Sequence, residues 1–499
     1  MKRPIFDEAQ KRITPQQFGA LGDGKHDDTE ALAAAIKQAS QNGWVLELPA
    51  GEYYTREVVE LDRITVLARD ARISYYGLHK NSPAVNMLSY VNIFGKLTIW
   101  AIDNTKSGIN NHGNRCGMAF GVYDSGAGAY HCYVEDITIL TGGMPNANGV
   151  FITGDSSDIT IGRVTVPEGS DVYRGVLVHW GNAKDHFPLG STWSVENGYG
   201  HAENWKPTQH PHDLHFGVID CSGIKDTGIN DSRAAFHIAA GYDIDCEEVI
   251  MNDGFHAVVA WGADQGFEYA PPEVKALGGQ RNIHIGKITG KRLHHAGLYV
   301  ISYVLMDQSI SVNTEMTVDE IDIEAAPDCK TAGMIFHSVE SVKIGKATVR
   351  NYTAPALYLD KGNRLLTVDE LHLIGCKSYA LQALQYRDCA PPSREIVLGK
   401  VTATACNCPN TPMFGMKKAD RLTVGTVKTE TSAYRSVLEV HNGFERVEIG
   451  DIQAEGAIGE AVVIAAEAID HHKTIAFGTI SCGDIPLKAG SIGNITFGK

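Results

Sequence analysis

The stretch GVFITGDSSDITIGRV at 149–164 carries the pattern that decides the fold: an apolar strand, a turn, and a second strand closed by Ile-Gly. The same phrase returns as GMIFHSVESVKIGKA at 333–347, MFGMKKADRLTVGTV at 413–427 and VLEVHNGFERVEIGDI at 437–452. The closing glycines Gly399, Gly425 and Gly450 follow one another at intervals of about 25 residues, the length of one coil of a parallel β-solenoid. Because one coil cannot bury its apolar face alone, the sequence predicts an all-β stack of coils.

The composition of the 499-residue chain suits short strands and tight turns, with 52 glycines. Its 44 basic and 59 acidic residues give a formal net charge of −15, which repels phosphate backbones and predicts no nucleic-acid partner. The ten cysteines are scattered without zinc-ligand spacing, so we expect reduced thiols in the core. The sequence therefore predicts no metal ion and no cofactor.

The first residues, MKRPIFDEAQKR, contain no apolar segment of the kind found in signal peptides. No stretch of the chain approaches the roughly 18 apolar residues of a membrane-spanning helix. We therefore expect neither a signal peptide nor a membrane partner.

Residues 13–55, ITPQQFGALGDGKHDDTEALAAAIKQASQNGWVLELPAGEYYT, resemble the opening of the pectate-lyase-like right-handed β-helix superfamily. The matching motifs are Phe18-Gly19-Ala20, Gly22-Asp23-Gly24, Asp27-Asp28-Thr29 and Leu48-Pro49-Ala50-Gly51. The superfamily contains phage tailspike depolymerases and polysaccharide hydrolases, lyases and epimerases. The resemblance implies a single right-handed parallel β-helix of about a dozen coils, a carbohydrate substrate and, as in tailspikes, a homotrimer. It leaves open whether the protein stays in the cytoplasm or is assembled into a phage particle.

The same segment predicts a capping helix over 30–41, with Asp28 or Thr29 as its N-cap. Its apolar stripe consists of Ala31, Leu32, Ala35, Ile36 and Ala39. We therefore divide the chain into an N-terminal cap, 1–55, and a parallel β-helix, 56–499. The alternative for the acidic residues is a calcium site on Asp23, Asp27 and Asp28.

Four insertions interrupt the repeat, and all leave it after the same strand. They follow MAFGVYD (118–124), GVLVHWG (175–181), HAVVAWG (256–262) and LYVISYV (298–304), and the longest loops lie at about 122–133, 182–211 and 263–281. Growth at one corner of neighbouring coils indicates a binding groove. Sugar rings stack on aromatic side chains, so substrate-binding residues are expected among Trp180, Trp205, Trp261, His210 and His212. A metal site on His210, His212 and His215 is the alternative.

Equivalent positions of successive coils stack about 4.8 Å apart. Alignment of LHFGVI (214–219), IDCEEV (244–249) and IHIGKI (283–288) predicts one outward row of His215, Asp245 and His284. The equivalent residues in other repeats are threonines: Thr138, Thr160, Thr317 and Thr367. A second row, on the groove side, contains Asp213, Asp243 and Asn282, and the further substrate-binding candidates Asp220 and Glu248 lie around the next bend.

These rows suggest acid–base chemistry on a sugar. Carboxylates on adjacent coils, such as Asp213 and Asp243, would lie about 5 Å apart, near the separation in retaining glycosidases, and more distant pairs would admit a water for inversion. An Asp between two His could instead serve β-elimination or epimerisation of a uronic acid. The chain lacks the Asp-Pro-His triplet of alginate epimerases and the Asn-Thr-Asp plus Gly-His-Gly set of polygalacturonases.

We therefore predict a glycoside hydrolase whose catalytic residues are among Asp213, Asp243, Asp245, His215 and His284. Three alternatives stay open: a polysaccharide lyase or C5-epimerase acting on a uronate-containing glycan, a non-catalytic glycan-binding spike or adhesin, and a merely solvated polar ladder.

Overall fold

The structure is a computed structural model with two compact units, Met1–Asn252 with Tyr269–Gly279, and Asp253–Glu268 with Gln280–Lys499. The residues it describes are 4–77, 82–102, 115–122, 127–142, 147–179, 210–224, 233–262, 280–302, 314–360, 362–384, 393–417, 419–441, 444–455, 458–464, 474–478, 480–482 and 495–497.

In both units the chain alternates between two parallel sheets, sheet A with long strands and sheet B with short ones. Sheet A of the first unit contains Arg12–Ile13, Asp23–Asp27, Val45–Leu48, Gly51–Thr55, Ile64–Tyr75, Val91–Ile102, Tyr130–Gly142, Ser157–Val166, His212–Ser222 and Tyr242–Asn252. Its sheet B contains Val59–Leu61, Val85–Met87, Cys116–Phe120, Ala147–Ile152, Val172–Val178 and Ala234–Ile238.

The second unit repeats this arrangement. Its sheet A contains Gln280–Leu293, Thr314–Ala325, Ser341–Arg350, Leu365–Ile374, Ser393–Thr404, Ala419–Glu430, Arg446–Ala454, Thr474–Phe477, Ile480–Cys482 and Ile495–Phe497. Its sheet B contains His256–Gly262, Leu298–Ser302, Met334–His337, Leu357–Asp360, Leu381–Ala383, Asn407–Cys408, Phe414–Met416, Ala433–Val440 and Ile458–Ile464.

Each coil contributes apolar side chains to a continuous interior. Along His212–Ser222, Leu214, Phe216 and Ile219 are buried, whereas His215 and Asp220 face outward and are partly exposed. The strands pair in parallel so that like residues stack, as in the row Ile159, Leu214 and Ile244. The all-β parallel β-helix predicted from the repeat is confirmed.

The N-terminal helix spans Thr29–Asn42 and buries Leu32, Ala35 and Ala39, so the predicted capping helix is present with one more residue at each end. No helix among the described residues has the length and apolar character needed to span a membrane.

The predicted role of Asp28 as a side-chain cap is wrong. Asp28 stands at the N-cap position, but its carboxylate is buried and accepts hydrogen bonds from the N–H groups of Leu21 (2.8 Å) and Gly22 (3.2 Å) instead of from the helix. It is Asp27 that accepts the N–H of Thr29, at 3.1 Å. These carboxylates tie the signature loop to the start of the helix.

The acidic residues of the signature loop do not form the calcium site considered above. Asp23 accepts hydrogen bonds from the N–H groups of Lys25 and His26, each at 2.9 Å, and these bonds hold the pKa of its carboxyl well below the ordinary value. Within the described ranges, no group of three His, Cys, Asp or Glu side chains has the arrangement of a metal site, and this includes both metal alternatives raised from the sequence.

The closing glycines mark the points where one coil approaches the next most closely. A Cβ at Gly345 would lie 2.7 Å from the carbonyl oxygen of Asp319, and one at Gly162 would lie 2.5 Å from that of Glu135. At Gly425 and Gly450 the added atom would contact the carbonyl of the preceding closing glycine. Since real Cβ atoms do not approach backbone oxygen this closely, the coils that contain Gly162, Gly345, Gly425 and Gly450 require glycine at the bend of their sheet A strand.

Replacing Gly162 with alanine should lower the free energy of unfolding by about 1–3 kcal/mol, because a methyl group is forced against backbone that cannot move aside. Gly142→Ala is the matched control in the same unit, since its Cβ would meet only the Trp100 side chain, at 3.6 Å. Urea unfolding of both variants measures the difference. Equal midpoints for the two would contradict the close-approach explanation.

Candidate functional site

The insertions leave the coils at one corner in each unit. The strands before them, Cys116–Phe120 and Val172–Val178 in the first unit and His256–Gly262 and Leu298–Ser302 in the second, all belong to sheet B. Most of the inserted segments lie outside the described residues, together with Trp180, Trp205 and the side chain of Trp261. The described part of the corner is the start of each following sheet A strand.

At this start, six successive coils of the first unit place one residue in the left-handed region of the backbone. They are Arg63 (φ 49°), Tyr90 (56°), His131 (55°), Asp158 (51°), Asp213 (52°) and Asp243 (53°). The flanking pairs Ser157 with His212 and His212 with Tyr242 fix the last three at equivalent positions. We call these six residues the left-handed row. Their side chains are exposed, except that of Asp243, which is half-buried.

The backbone conformation explains part of the predicted carboxylate row. Asp and Asn enter the left-handed region more readily than other residues with a side chain, because their short polar groups bond locally. Asp158, Asp213 and Asp243 therefore suit the backbone whatever else they do. In the second unit, Asn282 has the same conformation, with φ 51°.

A second row runs beside it, two residues further along each strand. Thr160, His215 and Asp245 are in register, and His215 Nδ1 lies 3.9 Å from Asp245 Oδ2. The sequence alignment of Thr138 with this row is wrong, because Tyr133 pairs with Thr160, and Thr138 pairs with Thr165. Sheet A strands present outward residues on both sides of their bend, and Thr138 lies after the bend.

His284 belongs to the second unit and has a partner that the sequence did not suggest. Its Nε2 lies 3.1 Å from Asp319 Oδ2. Thr317 is its register neighbour, as predicted, and the row continues through Lys343 to Thr367. Threonine is therefore frequent in this row without being constant.

A set of rings precedes the left-handed row, and sequence reasoning named His212 among them but missed the two tyrosines. Tyr130, His212 and Tyr242 align across the first unit, with Ser157 between the first two. The His212 ring stacks on Tyr242, with centroids 4.9 Å apart and planes inclined by 8°. The signal was present as ring-containing residues directly before His131, Asp213 and Asp243, but the aligned phrases began after them.

These rings contact the carboxylates. His212 Nδ1 donates a hydrogen bond to Asp213 Oδ2 at 2.8 Å. The Tyr130 hydroxyl donates to Asp155 Oδ1 at 2.6 Å. The three strand starts therefore form one polar cluster on the first unit.

Both phenols remain protonated at neutral pH. Burial, followed by the hydrogen bond to Asp155 and its negative charge, raises the pKa of Tyr130 to about 12. Burial is also the main cause that raises the pKa of Tyr242, and the charges of Asp243, Asp213 and Asp155 add to it. The negative charges of three aspartates thus act on a phenol that can donate a hydrogen bond.

The remaining candidates lie elsewhere. His210 and Pro211 are buried, so the last residues of the predicted loop 182–211 pack inside the corner. Asp220 forms an ion pair with Arg163 (2.6 Å) beyond the bend of its strand, and Glu248, half-buried, follows the bend of the next strand. The structure does not bring Asp220 and Glu248 to the left-handed row.

Comparison with known proteins identifies the fold. No family model matches the chain. A stretch of 190 residues is 27% identical to plasmin and fibronectin-binding protein A of Streptococcus pneumoniae, and it covers 37% of this chain but only 24% of that protein. The match thus spans about a quarter of that relative's length.

Two solved structures resemble most of the chain in fold, although their sequence identity to it is low. The tailspike protein of Escherichia coli bacteriophage HK620 in complex with a hexasaccharide is 12% identical, with a TM-score of 0.55, over 91% of this chain and 78% of that one. A pentasaccharide complex of that tailspike is 11% identical, with a TM-score of 0.57 over the same shares. The chain has the right-handed parallel β-helix fold.

Two substitutions of Asp213 test the left-handed row. Asp213→Asn should leave stability unchanged, whereas Asp213→Val should lower the free energy of unfolding by about 1–2 kcal/mol, because a β-branched residue resists positive φ. Chemical denaturation of both variants provides the measurement. A stable valine variant would show that the backbone there is not held left-handed.

Proposed function

We propose that the first unit binds a polysaccharide on the left-handed row and hydrolyses a glycosidic bond between Asp213 and Asp243. The observation that carries the proposal is the position of these two aspartates at equivalent points of adjacent coils, beside the phenol of Tyr242. His212 orients one of them through its hydrogen bond.

The spacing of the coils suits a retaining mechanism. Neighbouring strands lie about 4.8 Å apart, and the two carboxyl groups of retaining glycosidases are about 5–5.5 Å apart. Asp158 is two coils from Asp243, a distance of about 10 Å, which is just beyond the range of about 6.5–9.5 Å for inversion. We therefore assign the reaction to Asp213 and Asp243.

In the proposed reaction, Asp243 protonates the oxygen of the leaving sugar while Asp213 attacks the anomeric carbon. The glycosidic bond breaks, and a glycosyl ester forms on Asp213. Asp243, now a carboxylate, takes a proton from water, and the resulting hydroxide equivalent releases the sugar with retained configuration. The Tyr242 phenol supplies a hydrogen bond to the reacting sugar or to its ester.

The likeness to the HK620 tailspike supports the substrate class, since that protein was solved with bound oligosaccharides. The proposal for this chain is accordingly a carbohydrate partner and, by the same resemblance, a homotrimer. Sedimentation of the purified protein measures the oligomeric state, and a stable monomer would contradict the trimer.

A second candidate is a non-catalytic glycan-binding protein. The observation that favours it is the left-handed backbone, which by itself accounts for aspartate at 158, 213 and 243. The Streptococcus pneumoniae relative is named for binding the proteins plasmin and fibronectin. On this reading the carboxylates and phenols hold sugar hydroxyl groups and break no bond.

Incubation with a panel of bacterial surface polysaccharides separates these functions. New reducing ends without absorbance near 235 nm indicate hydrolysis, whereas absorbance at that wavelength indicates elimination, as in a lyase. Retention of a glycan without products indicates a binding protein.

Asp213→Asn and Asp243→Asn should each lower turnover at least about a hundredfold, because acid–base and nucleophilic groups contribute on the order of 10²–10⁴. Stability should be retained, since Asn accepts the left-handed backbone. Asp70→Asn is the matched control, an aspartate of the same unit with φ 53° outside the row. Turnover is measured as reducing ends released per minute.

The sequence also suggests a hundredfold loss in Asp245→Asn, and this variant decides between the two rows. A loss in Asp245→Asn with normal rates in the Asp213 and Asp243 variants would move the chemistry to the His215–Asp245 pair. Normal rates in all three variants would remove both rows from consideration.

A further inference from the structure

The opposite end of the left-handed row carries residues that its backbone does not favour. Arg63 and Tyr90 have φ 49° and 56°, although positive φ is uncommon outside Gly, Asn and Asp and is an outlier for a bulky side chain. Residues held in such conformations cluster at functional sites. Their side chains therefore need an explanation other than local backbone preference.

These side chains form a stack with His131. The Arg63 guanidinium carbon lies 4.9 Å from the centroid of the Tyr90 ring, and that ring lies 4.8 Å from the imidazole of His131. His131 is fixed in turn by a hydrogen bond from Nδ1 to Asp158. Tyr90 nevertheless remains 49% exposed, one of few large apolar side chains among the described residues to do so.

The stack leaves Arg63 able to bind an anion. A guanidinium that contacts a ring by its face keeps its in-plane N–H donors for hydrogen bonds, and its fork matches carboxylate and phosphate groups. The nearby acidic group is Asp62, whose Oδ2 lies 3.9 Å from Arg63 Nε, beyond hydrogen-bond distance, while its Oδ1 accepts the N–H of Ser89. Arg63 itself is 68% exposed.

We propose that Arg63 and Tyr90 form a subsite for a saccharide unit that carries a negatively charged substituent, a carboxylate or a phosphate. The proposal rests on the function proposed above and adds the charge and orientation of the substrate. Asp158, Asp213 and Asp243 repel an anionic sugar at the cleavage end of the row, so the anionic unit binds at the Arg63 end and a neutral unit binds between the aspartates.

The test uses acidic bacterial polysaccharides, each paired with its carboxyl-reduced and its dephosphorylated form. The wild-type protein should bind the anionic form at least tenfold more tightly than the neutral form, and the treatment that removes this preference identifies the substituent. Equal affinity for both forms would overturn the proposal.

Arg63→Asn should lower affinity for the anionic form about tenfold and leave affinity for the neutral form unchanged. Tyr90→Asn should weaken both, without lowering the thermal midpoint, because Asn fits the left-handed backbone better than Tyr. Arg56→Asn is the matched control, an exposed arginine over the ring of Tyr54 outside the row. Wild-type affinity in the Arg63 variant, or a Tyr90 variant that loses stability together with binding, would contradict the subsite.

These outcomes are separable from failure of the proposed function. Binding and cleavage without charge preference overturn the subsite alone. Charge-dependent binding without cleavage overturns hydrolysis alone. No binding to any member of the panel overturns both.

Discussion

The parallel hydrogen-bond ladder between coils is the constraint on which the rest of the structure depends. It fixes the vertical distance from one coil to the next at about 4.8 Å. Side chains far apart in sequence, such as Asp158, Asp213 and Asp243, are thereby placed in a line. The regular spacing of polar side chains on this surface therefore follows from the backbone geometry that each coil repeats.

Features that recur along the strands of every coil could be predicted from the sequence, whereas residues at the very start of the sheet A strands were missed. The closing glycines and apolar alternation predict the coils, and the register of His215 with Asp245 follows from aligning their phrases. Thr138 was misplaced because a sheet A strand presents outward residues both before and after its bend. Tyr130 and Tyr242 were missed because positive φ does not appear in a polarity pattern, so the strands seemed to begin two residues later.

The polar cluster of the first unit combines two kinds of group. Carboxylates occupy positions of the left-handed row, whereas the phenols of Tyr130 and Tyr242 are half-buried and have raised pKa values. Neutral donors beside acceptors satisfy the hydroxyl groups of a sugar, each of which both donates and accepts. The cluster therefore presents hydrogen-bond donors and acceptors side by side on the surface of the first unit.

The backbone conformation of the left-handed row is the same for several kinds of side chain. Its members range from arginine through tyrosine and histidine to aspartate, yet all adopt φ between 49° and 56°. A single substitution in the row by a residue that tolerates positive φ therefore alters the chemistry displayed to the solvent and leaves the coil intact. The side-chain chemistry along the row can therefore change one position at a time, while the positions themselves stay about 4.8 Å apart from coil to coil.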